Sequence, residues 1–294
     1  MRVLVTGQEG QLARSLAERA ADHPELDIIT TARDLVDLSC AGSAAAAIAA
    51  VQPDLVINAA AYTAVDLAED EPALAFRINA EAAGEAAAAA LRAGAAIVQL
   101  STDYVFDGES SEPYGEEAPA NPMSVYGRSK LAGEEAVRAA NPHHLILRTA
   151  WVYSPFGRNF VKTIVAAARD RDRLDVVDDQ HGCPTSALDL ADAILAIADR
   201  WRQGDETGRG ETYHLAGSGS ASWFELAGEI MKHCRRLDLP AAEVCPVSTA
   251  ERRGKATRPA YAVLDCAKID RDLGLRLPEW RQSLAGTVER LATS

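Results

Sequence analysis

At 294 residues, 48% of them hydrophobic and 25% charged, the chain can bury one large core or two modest ones. A formal net charge of −13 excludes a duplex nucleic-acid binder, which needs a basic footprint. It does not exclude phosphate ligands, because backbone N–H groups at a helix N-terminus hold phosphate without basic side chains.

The opening MRVLVTG has too short an apolar run for a signal peptide. The alanine-rich stretch 86–100 is broken by Arg92 and Gly94, so no membrane span is expected. The five cysteines, Cys40, Cys183, Cys234, Cys245 and Cys266, form no C-x-x-C pair. They read as reduced thiols in a cytoplasmic protein, with no disulfide framework and no metal site.

In chain order, VLVT (3–6) is a short buried strand opening onto glycines. A helix over 12–21, a strand over 27–31 and a helix over 43–52 follow. The run 54–61 reads as a third strand, 71–94 as one long helix ending at a glycine, and 96–106 as a fourth strand. A polar loop (107–121), a helix from Tyr126 to Ala140 and a fifth strand over 144–153 complete the first half. Helices over 159–170 and 187–201 and a strand over 211–217 come later.

Apolar strands alternating with helices predict an α/β fold: a doubly wound, Rossmann-like parallel sheet. Residues 1–153 with about 186–217 are expected to form a dinucleotide-binding domain. About 154–185 with 218–294, richer in Pro, Trp and irregular chain, are expected to form a smaller substrate-binding domain.

Three features carry chemistry. In TGQEGQLA (6–13), Gly7 and Gly10 follow the first strand, where a pyrophosphate can approach a helix N-terminus. Ala13 stands where a third glycine often sits. The second strand ends TTARD, without the acid that would bind a ribose 2′-hydroxyl. Arg33 just beyond suits a 2′-phosphate, although Asp34 beside it opposes one. NADPH is therefore expected, with NADH open as a second donor. Finally, Tyr126 and Lys130 stand four apart on a helix, sharing a face. A tyrosine hydroxyl ordinarily titrates near pH 10, and an adjacent ammonium favours its phenolate. The preceding strand ends in the hydroxyls of Ser101 and Thr102, where sites of doubly wound sheets open.

These residues, with INAAAYTAVD (57–66), STDYVFDG (101–108), YGRSK (126–130) and RTAWVY (148–153), resemble the extended short-chain dehydrogenase/reductases. More narrowly they are similar to the dTDP-4-dehydrorhamnose reductase family, and the similarity runs along nearly the whole chain. It implies a cofactor pyrophosphate at Gly7, Gly10, Gln11 and Leu12, and adenine contacts at Asp37 and Leu38. Ala60 and Ala61 would line the cofactor cleft, with Thr63 and Val65 close to the sugar. Thr102, Tyr126 and Lys130 would form the catalytic triad, Tyr126 and Lys130 also meeting the cofactor. Asp103, Tyr104 and Trp151 match substrate-contacting positions.

Beyond the resemblance, Arg258 in ATRPAY precedes a proline that favours extended chain, and it could face a substrate diphosphate as a charge-assisted donor. Asn79, in mid-helix, is read either as a surface residue or as a hydrogen-bonding partner near the site.

The implied activity is NAD(P)H-dependent reduction of the C4 ketone of dTDP-4-dehydro-L-rhamnose, a step towards cell-surface polysaccharide precursors. Reduction of another dTDP-4-keto-6-deoxysugar, of the talose or antibiotic-sugar kind, is the nearest alternative. A non-catalytic NADP-binding regulatory subunit is another, against which Thr102, Tyr126 and Lys130 all speak. The implied partner is the dTDP-linked keto sugar, and a homodimer is left open.

Overall fold

The computed structural model describes residues 1–252 and 254–293. The apolar runs become β1 (Arg2–Thr6), β2 (Asp27–Thr31), β3 (Leu55–Asn58), β4 (Ala96–Thr102) and β5 (His144–Thr149). With Glu211–His214 they form one six-stranded sheet, in the order Glu211–His214, β5, β4, β3, β1, β2. Every pairing in it is parallel. β3, β4 and β5 are buried at every residue, as strands covered on both faces must be. The chain leaves β1 for β2 on one side and returns to β3 on the other. Ligands of such sheets bind at this reversal, beyond the C-terminal strand ends.

The helices that position the site are α1 (Gln11–Arg19), α2 (Ser43–Val51), α3 (Val65–Ala68), α4 (Pro72–Phe76), α5 (Ala82–Arg92) and α6 (Val125–Ala140). They are followed by α7 (Phe160–Ala167), α8 (Ala187–Arg202), α9 (Trp223–Arg236), α10 (Ala267–Leu273) and α11 (Trp280–Ala292). Successive strand residues point to opposite faces. Val3, Val5, Leu55 and Ile57 therefore meet α1 and α8, while Leu4, Val56 and Ile97 meet α2, α5 and α6. The second face is lined mainly by alanines of α5, whose small side chains let helix and sheet approach closely. A separate core joins α7, α9 and α11 around Tyr153, Ile230, Trp280 and Leu284. It also takes in Arg173–Val177, which pairs with Glu243–Val247.

The strands expected over 54–61 and 211–217 end early, at Asn58 and His214, and three further departures from the sequence expectation lie beside the site. β4 stops at Thr102, whose hydroxyl accepts the Tyr104 N–H and caps a single 3₁₀ turn, Asp103–Val105. β5 stops at Thr149; Trp151 has φ +46, and Val152–Tyr153 turns away to pair with Thr185–Ser186. The helix expected over 71–94 is interrupted by a π turn, Arg77–Glu81. That turn carries Asn79, whose side chain both accepts the Tyr62 N–H and donates to the Tyr62 carbonyl and to Ser129 on α6. Asn79 is thus a buried partner, not a surface residue.

Candidate active site

The glycine turn lies at the sheet reversal. Gly7 has φ +93, a conformation that favours glycine, and a Cβ there would sit 3.6 Å from Ala60 at the end of β3. Its N–H donates to the Thr31 hydroxyl at the end of β2. Gly10 caps α1, and a Cβ on it would meet nothing within 4 Å. The Gln11 carboxamide is engaged elsewhere, donating to the Val152 carbonyl and accepting from Ser154 and Asn159. The Leu12 side chain is in the core. What these two residues offer is therefore backbone N–H at the first turn of α1, the donors a pyrophosphate needs. Residues 7–12 fit a dinucleotide.

At the adenosine side, the Arg33 side chain is 81% exposed and stands 3.7 Å from the Asp37 carboxylate. Hydrogen bonds from Ser39 hold Asp37 below the usual carboxylate range, so it is ionised. Leu38 is buried against the alanine-rich core, leaving its backbone to any ligand. Ala61 is half-buried, Thr63 exposed and Val65 half-buried at the start of α3.

The hydroxyls and the lysine converge beyond the end of β4. The Thr102 hydroxyl faces the Tyr126 phenol and donates to the Asp103 carboxylate at 2.8 Å. Burial, with the Asp103 charge adding and the Thr102 hydroxyl opposing, pushes Tyr126 up to about 12. The sequence suggested the opposite direction, from Lys130. In the structure Lys130 is buried and its Nζ donates to the Leu100 carbonyl at 2.6 Å. Burial pulls Lys130 down to about 8, against the pull of Glu134. Tyr126 is therefore protonated at neutral pH, the state of a proton donor. Its ring meets Tyr104 edge-on, with centroids 5.4 Å apart.

A buried polar chain supports this centre. Thr6 donates to Asn58, Asn58 to Gln99, and Gln99 to the Leu100 carbonyl that also receives Lys130. It crosses β1, β3 and β4 and ties the glycine turn to the lysine. Glu134, one turn after Lys130 on α6, receives two bonds from Arg148, at 2.9 and 2.8 Å, and one from Ser101. Burial pushes the Glu134 carboxyl up, but the Arg148 and Ser101 bonds outweigh it and keep the group ionised. None of Asn58, Gln99, Glu134 and Arg148 was singled out from the sequence. The available signal was a polar residue inside an otherwise apolar strand or on the sheet-facing side of a helix.

The far wall comes from the second half of the chain. Trp151 stacks on Trp223 at 3.5 Å with planes 5° apart, so one face of its indole is taken. Gly182 lies so close that a Cβ there would be 2.5 Å from the ring. Arg258 grips Asp66 on α3 through both guanidinium nitrogens, at 3.2 and 2.6 Å. It also faces the Tyr104 hydroxyl, which sets it beside the centre.

The family model described as RmlD substrate binding domain matches residues 1–293. The dTDP-4-dehydrorhamnose reductase of Sinorhizobium fredii is 45% identical over 96% of this chain and 95% of its own. A crystal structure of a Clostridium acetobutylicum dTDP-4-dehydrorhamnose reductase superposes with a TM-score of 0.91, at 39% identity and 99% coverage of both chains. The Bacillus anthracis dTDP-4-dehydrorhamnose reductase, solved in complex with NADP, superposes with 0.89 at 36% identity, covering 97% of this chain and 98% of that one. With the glycine turn, the hydroxyl pair and the buried lysine in place, the chain belongs to the dTDP-4-dehydrorhamnose reductase family.

Proposed function

We propose that the chain reduces the C4 ketone of dTDP-4-dehydro-L-rhamnose, with NADPH as the preferred donor. The observation that carries this reading is the protonated Tyr126 hydroxyl, facing Thr102 and one helical turn from the buried Lys130. It stands beside a glycine turn shaped for a dinucleotide. When bound there, the nicotinamide supplies the hydride. Gly7, Gly10 and the backbone of Gln11 and Leu12 hold the pyrophosphate, and Ala60 and Ala61 line its cleft. Tyr126 gives its proton to the oxygen that becomes the C4 hydroxyl, and Thr102 hydrogen-bonds that oxygen as charge develops. Lys130 supplies positive charge beneath both. Tyr104, Trp151, Thr63, Val65 and Arg258 hold the sugar nucleotide.

In this reading, 1–153 with about 186–217 bind the dinucleotide, and about 154–185 with 218–294 bind the sugar. Two separate cores support a division of this kind, although Ile269, Leu273 and Leu277 of the second part pack into the core of the first. The test is keto-sugar-dependent oxidation of NADPH by the wild type and by Tyr126→Phe. The variant should fold, bind cofactor and lose about 10²-fold or more in kcat, the scale of general acid catalysis. Near-normal turnover in Tyr126→Phe removes the triad assignment. Tight NADPH binding with no turnover of any dTDP-4-keto sugar by the wild type favours a regulatory role instead.

A further inference from the structure

Asp103 matches a substrate-contacting position, yet it is 2% exposed and lies behind Thr102. Its Oδ1 accepts the Thr102 hydroxyl, while its Oδ2 is buried without a hydrogen-bond partner. A bare buried carboxylate oxygen is costly, and protonating the group relieves the cost. The titratable groups that face it are Tyr104, Tyr126 and Cys183. Burial raises all three, so each is neutral at pH 7 and none offsets a negative charge. Only the backbone N–H groups of Asp103 and Tyr104 and the Thr102 hydroxyl favour the ionised form.

Thr102 has one proton and two lone pairs to share. One lone pair receives the Tyr104 N–H. While Asp103 is ionised, the single proton goes to Oδ1, and Thr102 can only accept from the cleft, where the protonated Tyr126 phenol faces it. When Asp103 is protonated, its acid proton can point to Thr102 Oγ1, and the Thr102 proton is released towards the cleft.

Resting on the reductase reading above, we propose that Asp103 is a positioning residue whose protonation reverses its hydrogen bond to Thr102. The reversal turns Thr102 from an acceptor into a donor for the substrate carbonyl oxygen. No covalent bond changes; one solvent proton binds Asp103 and the hydroxyl rotates. Burial pushes the Asp103 carboxyl up to about 7, which places the reversal within the neutral range.

The experiment is the pH profile of kcat/KM for keto-sugar reduction. It is run with both NADH and NADPH, because a phosphate monoester titrates near ~6 and only NADPH carries one. The wild type should fall about tenfold or more as pH rises through 7, since one oxyanion donor is worth about 10²–10³. Asp103→Asn cannot ionise, and its amide can donate to Thr102, so its profile should show no step near 7. Thr102→Ser should keep the step. Thr102→Val should run slowly and without it, and serves if Asp103→Asn does not fold. A flat wild-type profile through neutral pH overturns the proposal. So does a step that survives in Asp103→Asn or in Thr102→Val, or a variant slowed equally at all pH values with the step intact. These outcomes are distinct from failure of the reductase reading, which shows as near-normal turnover in Tyr126→Phe.

Discussion

Lys130 is held by a single main-chain carbonyl in a dry place, and its titration reports on that. Its pKa in the fold lies below the ordinary lysine value, so the ammonium is fully present below about pH 8 and lost above it. The rate of keto-sugar reduction should therefore decline as pH rises past 8, separately from any change near neutrality. Lys130→Met, at much lower activity, should show no such alkaline limb; a limb that persists there assigns the titration to another group. Arg33 makes a second prediction at this scale. It is mostly exposed and loosely paired with Asp37, and exposed pairs of this kind hold a guanidinium weakly. A 2′-phosphate, with more charge than a carboxylate, can win it. Arg33→Ala should then lower kcat/KM for NADPH more than for NADH. Equal effects on both cofactors would mean that Arg33 does not read the phosphate.

At the scale of elements, α6 delivers Tyr126 and Lys130 because it can lie unusually close to its neighbours. A Cβ on Gly127 would come within 2.2 Å of the Tyr104 carbonyl, and one on Gly133 within 2.1 Å of the Asn79 carbonyl. Both obstacles are backbone and cannot swing aside. Gly127→Ala should therefore push α6 off the end of β4, destabilising the protein by about 1–3 kcal/mol, the usual cost of overpacking. It should also lower kcat more than cofactor affinity, because Tyr126 moves with the helix. Thermal melts and steady-state rates on the same preparation check both effects, and unchanged kcat would show that the close approach is not needed for chemistry. The tyrosine–lysine pair, the glycine turn and the parallel sheet were legible in the sequence because each rests on local spacing or alternation. The break at Trp151 was not, since the apolar run continues through a residue with positive φ. The π turn was hidden by an unbroken helical pattern, and only the misfit of Asn79 hinted at it. The polar chain through Asn58 and Gln99 joins residues 41 apart and belongs to strand order, which no local pattern encodes.

Over the whole molecule, the two halves of the chain meet at the floor and at the mouth of the cleft. On the floor, Gln11 binds Val152, Ser154 and Asn159 beside the glycine turn. At the mouth, Arg258 reaches Asp66, while its neighbour Lys255 pairs with Asp70. Gly254 is part of the same contact, for a Cβ there would be 2.1 Å from the Arg258 guanidinium. The Arg258 pair is half open to solvent, at 28% and 46% side-chain exposure, and such pairs contribute about 1 kcal/mol or less. A diphosphate, carrying more charge than the single Asp66 carboxylate, can draw the arginine from this half-open pair. A charge-assisted hydrogen bond to a ligand is worth about 1.5–3 kcal/mol, so Arg258→Ala should raise KM for the keto sugar by about 10- to 100-fold. The Kd for NADPH should stay near wild type, because the glycine turn is bounded by other residues. Asp66→Asn is the control: it removes the competing carboxylate and should leave KM equal or lower. If Arg258→Ala instead lowers thermal stability with KM unchanged, the arginine only fastens the mouth of the cleft. If both variants raise KM alike, the substrate is recognised by the intact pair, and the diphosphate is held by another group.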